Sequence, residues 1–324
     1  MEAMYYTKEK NNTVRCYLCP HNCIIKEGSR GMCNVRENVK GQLMALNYGK
    51  HTSYAYDPVE KKPLYHFYPG RDIFSIGSFG CNLHCDFCQN WEIAHGESLT
   101  IEMEDEDLLL LAKSKGSIGI AYTYNEPTIS YEYLYHICKL VKAIGLKNVL
   151  ITNGFIEEEP LREILPFIDA MNIDLKAMNQ DFYKKICKGN LEPVLGTIKI
   201  AKEYTHVEVT TLIIDGLNSR EEEIEKLAAW LGNLDRGIPL HISKYFPNYK
   251  MDLPATSYET LIRTKEIAEK YLDYTYIGNI WGTDNNTYCP SCNSQLVNRQ
   301  GTGEIVGLKK SKCKHCGEKI NIIY

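Results

Sequence analysis

The chain has 324 residues, enough for one large domain with smaller additions. Its 37 basic and 41 acidic residues give a net charge of −4, and the basic residues form no block that would bind nucleic acid. The N-terminus lacks the pattern of an export signal, and no apolar run approaches the roughly 18 residues of a membrane helix. We therefore expect a cytoplasmic protein that acts neither on nucleic acid nor in a membrane.

The first sixty or so residues carry the first of three cysteine groups, Cys16, Cys19, Cys23 and Cys33. A chain of this size without an export signal is expected to use such groups for metals rather than disulfides. The region is punctuated by glycines and has too little apolar periodicity for a core of its own, so a metal would replace that core. Zinc is sufficient for such a module and is favoured, and a second iron–sulfur cluster is the alternative.

From about residue 72 the sequence alternates short apolar runs with amphipathic stretches, which is typical of βα units around a parallel sheet. The predicted strands lie near 73–79, 117–123, 147–152, 168–174, 205–214 and 239–245. The predicted helices lie near 103–115, 128–144, 158–165, 180–203 with a break at Gly189 or Pro193, 219–232, and 257–271. This α/β pattern predicts a partial (β/α)6 barrel of the TIM type, with its chemistry at the carboxyl ends of the strands.

The second cysteine group, Cys81, Cys85 and Cys88 in "CNLHCDFCQN", directly follows the first predicted barrel strand. Three thiolates in a tight loop suit three irons of a [4Fe–4S] cluster and leave one iron open for a ligand. The alternative is a zinc knuckle completed by His84 or a distant residue. Because the loop lies at a strand end of a barrel, we favour the cluster.

This triad, with Phe87 and Asn90 beside it, resembles the signature of the radical S-adenosylmethionine (SAM) superfamily. The resemblance implies that the open iron binds SAM. It also implies that an electron from the cluster cleaves SAM to a 5′-deoxyadenosyl radical, which abstracts hydrogen from a substrate.

Further motifs at the next strand ends fit the same cofactor. The segment "YNEP" resembles the superfamily's Gly-Gly-Glu-Pro, which implies that Asn125 and Glu126 meet the SAM amino group, although it is also typical of a helix N-terminus. Asn153 in "ITNG" is a weaker candidate. In "NIDLK", Asp174 and Lys176 share one side of a strand and resemble the Asp-x-Lys of enzymes that activate glycyl radical enzymes. A plain ion pair is the alternative.

Three other positions are given no role in the chemistry. His241 lies in the sixth predicted strand, and Phe246 stands where related activating enzymes carry a histidine, so no histidine contact to the ribose is predicted here. Cys187 has no adjacent base in sequence, which argues against a nucleophilic role.

The third group pairs the knuckles "CPSC" and "CKHC", formed by Cys289, Cys292, Cys313 and Cys316. Two CxxC knuckles at this separation are typical of a zinc ribbon, with a rubredoxin-like iron site as the minor alternative. Four thiolates leave no open position, so a structural or substrate-docking role is expected rather than catalysis.

Taken together, these motifs resemble those of the AmmeMemoRadiSam radical SAM proteins, which are similar to pyruvate formate-lyase activating enzyme. We predict a Cys-rich metal-binding module over 1–68, a core barrel over 69–283 and a zinc-ribbon or rubredoxin-like module over 284–324. The resemblance implies an oxidoreductase that abstracts hydrogen from a protein or peptide and takes electrons from a flavodoxin or ferredoxin. The alternatives are radical chemistry on a small metabolite, or a metal-binding scaffold without activity.

Overall fold

The N-terminal region consists of short antiparallel strands joined by loops. The structure is a computed structural model that describes residues 1–301 and 303–324. Its first strands are β1 (Tyr6–Lys8), β2 (Val14–Cys16), β3 (Ile24–Ile25), β4 (Arg36–Val39), β5 (Gln42–Ala45) and β6 (Lys50–His51). The first three form one small sheet, and β4 and β5 form a hairpin. Cys16 ends β2, and the other three N-terminal cysteines lie in the loops between the strands.

The centre of the protein is an eight-stranded sheet. Its members are β7 (Ser53–Pro58), β8 (Asp72–Gly77), β10 (Gly119–Tyr122), β11 (Lys147–Thr152), β12 (Ala170–Asp174), β13 (His206–Ile213), β14 (Leu240–Lys244) and β15 (Thr275–Gly278), while β9 (Ile101–Glu102) pairs with β6. The sheet runs β15-β14-β13-β12-β11-β10-β8-β7, all parallel except the antiparallel β7. Strands β7 and β15 are its two edges, so the barrel is partial.

All six predicted barrel strands are present, and the sheet has one additional strand at each end. Strand β7 lies inside the predicted N-terminal module yet pairs along its whole length with β8. Its alternating tyrosines give no apolar run, and the four-residue β15 is too short to stand out in sequence. The three domain boundaries stay a prediction.

Helices alternate with the strands, as expected of βα units. They are α1 (Trp91–His95), α2 (Asp105–Lys113), α3 (Tyr131–Ala143), α4 (Glu158–Ile164), α5 (Gln180–Phe182), α6 (Leu191–Tyr204), α7 (Glu221–Leu234) and α8 (Tyr258–Ala268). A π-helical turn, Tyr183–Cys187, follows α5, and the predicted break falls between this turn and α6, where Lys188 has a φ of 60°. Within the described residues, no helix is both long and apolar enough to cross a membrane.

A buried carboxylate occupies the amino end of the barrel. Glu208 on β13 accepts hydrogen bonds from His206 Nε2 at 2.9 Å and from His241 Nε2 at 2.6 Å, and from the backbone N–H groups of Tyr65 and His66. Burial alone would raise the pKa of Glu208, but the two histidines hold it well below its usual value. His241 is therefore a hydrogen-bonded strand residue at the end of the barrel opposite the cysteine loop.

The C-terminal region packs against this same end. Its strands are β16 (Thr287–Tyr288), β17 (Gln295–Asn298), β18 (Glu304–Ile305), β19 (Leu308–Lys309) and β20 (Lys312–Cys313). The Tyr68 N–H donates to the Ile323 carbonyl at 2.6 Å, and the Arg299 guanidinium lies over the Tyr65 ring. The chain thus closes the amino end of the barrel with its C-terminal region and leaves the carboxyl end to the motifs.

Candidate functional site

The loop of Cys81, Cys85 and Cys88 lies at the carboxyl end of β8 and is fixed by its backbone. The Cys88 N–H donates to the Cys85 carbonyl at 3.1 Å, which closes a tight turn between two of the thiols. The π-helical turn holds the other side, because its Cys187 carbonyl accepts from the His84 N–H at 2.9 Å. Cys85 is buried, whereas Cys81 and Cys88 are partly exposed.

Polar groups surround the triad's sulfurs. Cys81 Sγ accepts from the Leu83 N–H at 3.4 Å and from Asn153 Nδ2 at 3.6 Å. A hydrogen bond from the Cys187 thiol lowers the pKa of Cys85, while burial raises the pKa of Cys88 to about 11. A metal displaces such thiol protons when it binds.

The distances between the three sulfurs of the triad indicate whether the loop fits a zinc ion or an iron–sulfur cluster. In the part of the chain that the structure describes, the sulfurs of Cys81, Cys85 and Cys88 do not all lie within 4.8 Å of one another. Three sulfurs around one zinc ion would be separated by roughly 3.8 Å, whereas thiolates on different irons of a cluster are farther apart. The loop therefore fits a cluster better than a zinc knuckle.

Asn125 and Glu126 brace the site from the end of β10. The buried Glu126 carboxylate accepts from Thr128 Oγ1 at 2.7 Å, from Thr152 Oγ1 at 2.8 Å and from the Asn153 N–H at 2.8 Å. Asn125 bonds the backbone just before the triad, accepting from the Ser78 N–H and donating to the Gly80 carbonyl. Both side chains thus use their polar atoms on protein partners, and a direct contact to SAM stays a prediction for each.

Asn153, Asn90 and Phe87 lie around the triad. Asn153 joins the ends of two strands through its contact to Cys81 and a 2.9 Å hydrogen bond to Asn82 Oδ1. Asn90 Nδ2 donates to the Tyr124 carbonyl at 2.7 Å, and the buried Phe87 ring packs near Lys176. Their predicted roles toward a cofactor stay predictions.

Asp174 and Lys176 form an ion pair of 3.0 Å at the end of β12. Burial alone would lower the pKa of Lys176, but Asp174 and the nearby thiols Cys85 and Cys187 hold it well above its usual value. Lys176 is therefore a cation under all ordinary conditions, placed beside the triad. Such a pair can bind both hydroxyl and carboxylate groups of a ligand.

Sequence reasoning missed two contributors. Cys187 lies against Cys85, although 101 residues separate them in sequence. Gln89, next to the triad, donates to the Phe246 carbonyl at 3.1 Å and accepts from Asn248 Nδ2, so the segment after β14 borders the site. Phe246 contributes its backbone here, and no sequence pattern signals that role.

The C-terminal cysteines converge on one point. The four sulfurs of Cys289, Cys292, Cys313 and Cys316 all lie within 4.8 Å of one another. The separations are 3.5 Å between Cys289 and Cys316 and 3.7 Å between Cys292 and Cys313, close to the roughly 3.8 Å edge of a tetrahedral zinc–thiolate site. These residues can hold a single metal ion.

Comparisons with known proteins identify the family of the barrel region. Residues 75–231 match the model of the radical SAM superfamily. An uncharacterized protein of Methanocaldococcus jannaschii is 46% identical, over 99% of this chain and 99% of its own. The pyruvate formate-lyase-activating enzyme of Clostridium pasteurianum is 27% identical, over 60% of this chain and 87% of its own.

Two further similarities concern a second relative and a solved structure. A probable GTP 3′,8-cyclase of Saccharolobus solfataricus is 31% identical, over 48% of this chain and 51% of its own. The structure of a radical SAM methyltransferase from Sphaerobacter thermophilus has a TM-score of 0.51 at 18% identity, covering 69% of this chain and 71% of that one. The second similarity shows the fold alone.

Proposed function

Because the chain belongs to the radical SAM superfamily, we propose that it abstracts a hydrogen atom from a protein or peptide substrate. The observation that carries the proposal is the Cys81, Cys85 and Cys88 loop at the carboxyl end of the barrel, with the half-buried Asp174–Lys176 pair beside it. When bound, the cluster and SAM supply a 5′-deoxyadenosyl radical that removes the hydrogen. The protein's task is to bind, orient and shield them.

Each residue of the site has a role in this proposal. The thiolates of Cys81, Cys85 and Cys88 would hold the cluster, which would bind SAM at the iron that has no thiolate. Lys176 binds the SAM carboxylate and Asp174 the ribose hydroxyls, while Phe87 and Asn90 border the cofactor. Asn125, Glu126 and Asn153 act as positioning residues, since their hydrogen bonds fix the strand ends that carry the loop.

The C-terminal cysteines hold zinc in this proposal, and the ion is structural. Their sulfur separations suit a tetrahedral ion, and four thiolates fill its coordination. The site also lies with the region that packs at the amino end of the barrel, away from the triad. This argues against direct participation of the ion in catalysis.

A protein or peptide substrate is supported by the similarity to the activating enzyme of Clostridium pasteurianum. The similarity to a GTP cyclase favours a second candidate, radical chemistry on a small metabolite. A scaffold without activity is disfavoured, since placing the Lys176 cation and Asp174 beside three thiols has no evident structural benefit. A ferredoxin or flavodoxin is the proposed electron donor.

The first experiment measures SAM cleavage by anaerobically reconstituted full-length protein with a chemical reductant. We expect 5′-deoxyadenosine and methionine from the native protein, and at least about a hundredfold less from Cys85→Ala, which removes an iron ligand. Cys138→Ala is the matched control, because Cys138 is a buried thiol of α3 outside the triad. An inactive native protein with a full cluster would overturn the proposal.

The second experiment separates the two substrate classes. Extracts of the native host grown in deuterated medium are divided by ultrafiltration into proteins and small molecules, and each fraction is given to the enzyme with unlabelled SAM. Deuterium in 5′-deoxyadenosine from the protein fraction alone supports the proposal. Deuterium from the small-molecule fraction alone overturns it in favour of a metabolite.

A further inference from the structure

The four N-terminal cysteines surround a cavity rather than a point. Cys16, Cys19, Cys23 and Cys33 all line one small cavity, together with Arg36. Cys16 and Cys33 are buried on its inner side, whereas Cys19 and Cys23 are partly exposed. The site therefore has a buried wall and a wall near the surface.

The separation of these sulfurs does not suit zinc. A tetrahedral zinc site requires all four sulfurs within roughly 4 Å of one another, as the C-terminal cysteines are. Among the described residues, no three of the N-terminal sulfurs lie mutually within 4.8 Å. In a cubane cluster each thiolate binds a different iron. The thiolate sulfurs then lie roughly 6 Å from one another, which requires a wider arrangement than a zinc ion does.

Arg36 gives independent evidence for a metal-bound group in this cavity. The side chain is 1% exposed, and its two terminal nitrogens donate to the Met4 carbonyl at 2.8 Å and to Glu132 Oε1 at 2.5 Å. Its Nε has no hydrogen-bond partner among the described residues, although Arg36 lines the cavity. A buried donor without an acceptor is costly, and the sulfurs of a metal-bound group in this cavity would accept from it.

The cavity lies directly beside the catalytic loop. A Cβ atom placed on Gly80, which precedes Cys81, would lie 2.8 Å from the Cys33 carbonyl oxygen. His21 Nε2 lies 2.6 Å from the Asn82 carbonyl, and His84 Nε2 lies 2.8 Å from the Met32 carbonyl. The two cysteine groups therefore share a packed boundary on both sides of Cys81.

We propose that Cys16, Cys19, Cys23 and Cys33 hold a second [4Fe–4S] cluster that relays electrons to the site at Cys81. Every iron would have a thiolate, so the cluster has no open position for substrate. A reduced one-electron donor protein of the ferredoxin or flavodoxin class gives one electron at the side of Cys19 and Cys23. The same electron then passes on by way of Cys33. The donor is oxidised by one electron, and no bond is made or broken at the relay. The relay role rests on the proposed function, whereas the cluster itself does not.

Metal analysis of anaerobically purified, reconstituted full-length protein tests the cluster. We expect about eight irons, eight sulfides and one zinc per native chain. We expect about four irons and one zinc in two variants, Cys16→Ala with Cys19→Ala, and Cys81→Ala with Cys85→Ala and Cys88→Ala. About four irons and two zincs in the native protein would overturn the proposal, as would a Cys16/Cys19 variant that loses zinc and keeps its iron.

Reduction kinetics test the relay and keep its failure separate from that of the proposed function. In the Cys16/Cys19 variant, SAM cleavage should fall at least about tenfold with reduced ferredoxin or flavodoxin and less than about threefold with dithionite, which is small enough to reach the triad directly. An equal loss with both reductants would overturn the relay. If the native protein holds eight irons yet cleaves no SAM with either reductant, the proposed function fails and the relay fails with it, while the iron count still supports the cluster.

Discussion

The two outer cysteine groups have the same number of thiolates but hold them at different separations. In the C-terminal group, two CxxC turns face each other and bring four sulfurs within 4.8 Å. In the N-terminal group the intervening stretches are unequal, and the sulfurs line a cavity instead. The number of thiolates therefore does not name the metal, and the distance between them is the more informative quantity.

The two groups also dock differently on the barrel. The C-terminal region packs at the amino end of the barrel through Arg299 and Ile323, whereas the triad lies at the carboxyl end. The N-terminal loops pack at the carboxyl end, against Gly80 and Asn82. One group is thus placed to hold structure and the other to act with the triad, and the following predictions test that division.

The largest expected effect follows from removal of the C-terminal metal. Cys289→Ser with Cys292→Ser should remove zinc and unfold residues 285–324, since structural zinc contributes on the order of 10 kcal/mol to small modules. Zinc content and hydrogen exchange of that region measure this, and iron content should stay unchanged. Ser291→Ala, between the same two ligands, is the control that should keep both zinc and protection. A variant that lacks zinc but keeps its protection would contradict a structural role.

The next effect concerns the buried ion pair that joins the N-terminal module to α3. Arg36→Met leaves Glu132 buried without its cation, and we expect a loss of about 3–5 kcal/mol in unfolding free energy, measured by denaturant titration. The double variant Arg36→Met with Glu132→Leu should recover most of it. If the double variant is as unstable as the single one, the loss arises from the cluster side of Arg36 instead.

The sequence predicted those parts of the molecule that depend on local pattern. Six barrel strands follow from apolar runs, and the triad and knuckles follow from close cysteine spacing. Their chemistry is local, because one loop or one pair of turns supplies all ligands. The pairing of Asp174 with Lys176 could also be predicted from the sequence, because side chains alternate along a strand and residues two positions apart lie on the same side.

The remaining features depend on contacts between distant segments. The motif of Glu126 does not reveal that its carboxylate accepts hydrogen bonds from Thr128, Thr152 and Asn153, the last two at the end of the next strand, and its contact to SAM stays a prediction. Arg36 looks like an ordinary hairpin residue in sequence, and only the fold places it beside four thiols. The spacing of the N-terminal cysteines was compatible with zinc or a cluster, because loop lengths alone do not fix the distances between sulfurs.

A smaller effect is expected at the boundary between the N-terminal module and the triad. Gly80 has a φ of +88°, and a Cβ there would lie 2.5 Å from Val35 Cγ1 and 2.8 Å from the Cys33 carbonyl oxygen. Gly80→Ala should therefore cost about 2–4 kcal/mol of unfolding free energy and lower the iron content. Gly28→Ala is the matched control, because Gly28 has a φ of +72° with open space around it, so only the backbone strain of about 1 kcal/mol applies. Equal losses in the two variants would mean that the packed boundary is unimportant.

The smallest effect is a pH dependence at the opposite end of the barrel. His66 donates or accepts at 2.8 Å with Tyr276 Oη, and burial lowers the pKa of His66 to about 3. The folded state keeps this histidine neutral, while the unfolded chain binds a proton below a pH of about 6.5, so stability is full above that pH and declines as the pH falls toward 3. Between pH 7.5 and 5.5 the loss from this one group should be about 1 kcal/mol, measured as the unfolding free energy at both pH values. His66→Gln should remove that part of the pH dependence. Tyr276→Phe should lower the unfolding free energy at both pH values and leave its pH dependence unchanged. An unchanged pH dependence in His66→Gln would show that His66 does not cause the loss of unfolding free energy in acid. That loss would then have to come from the other buried histidines.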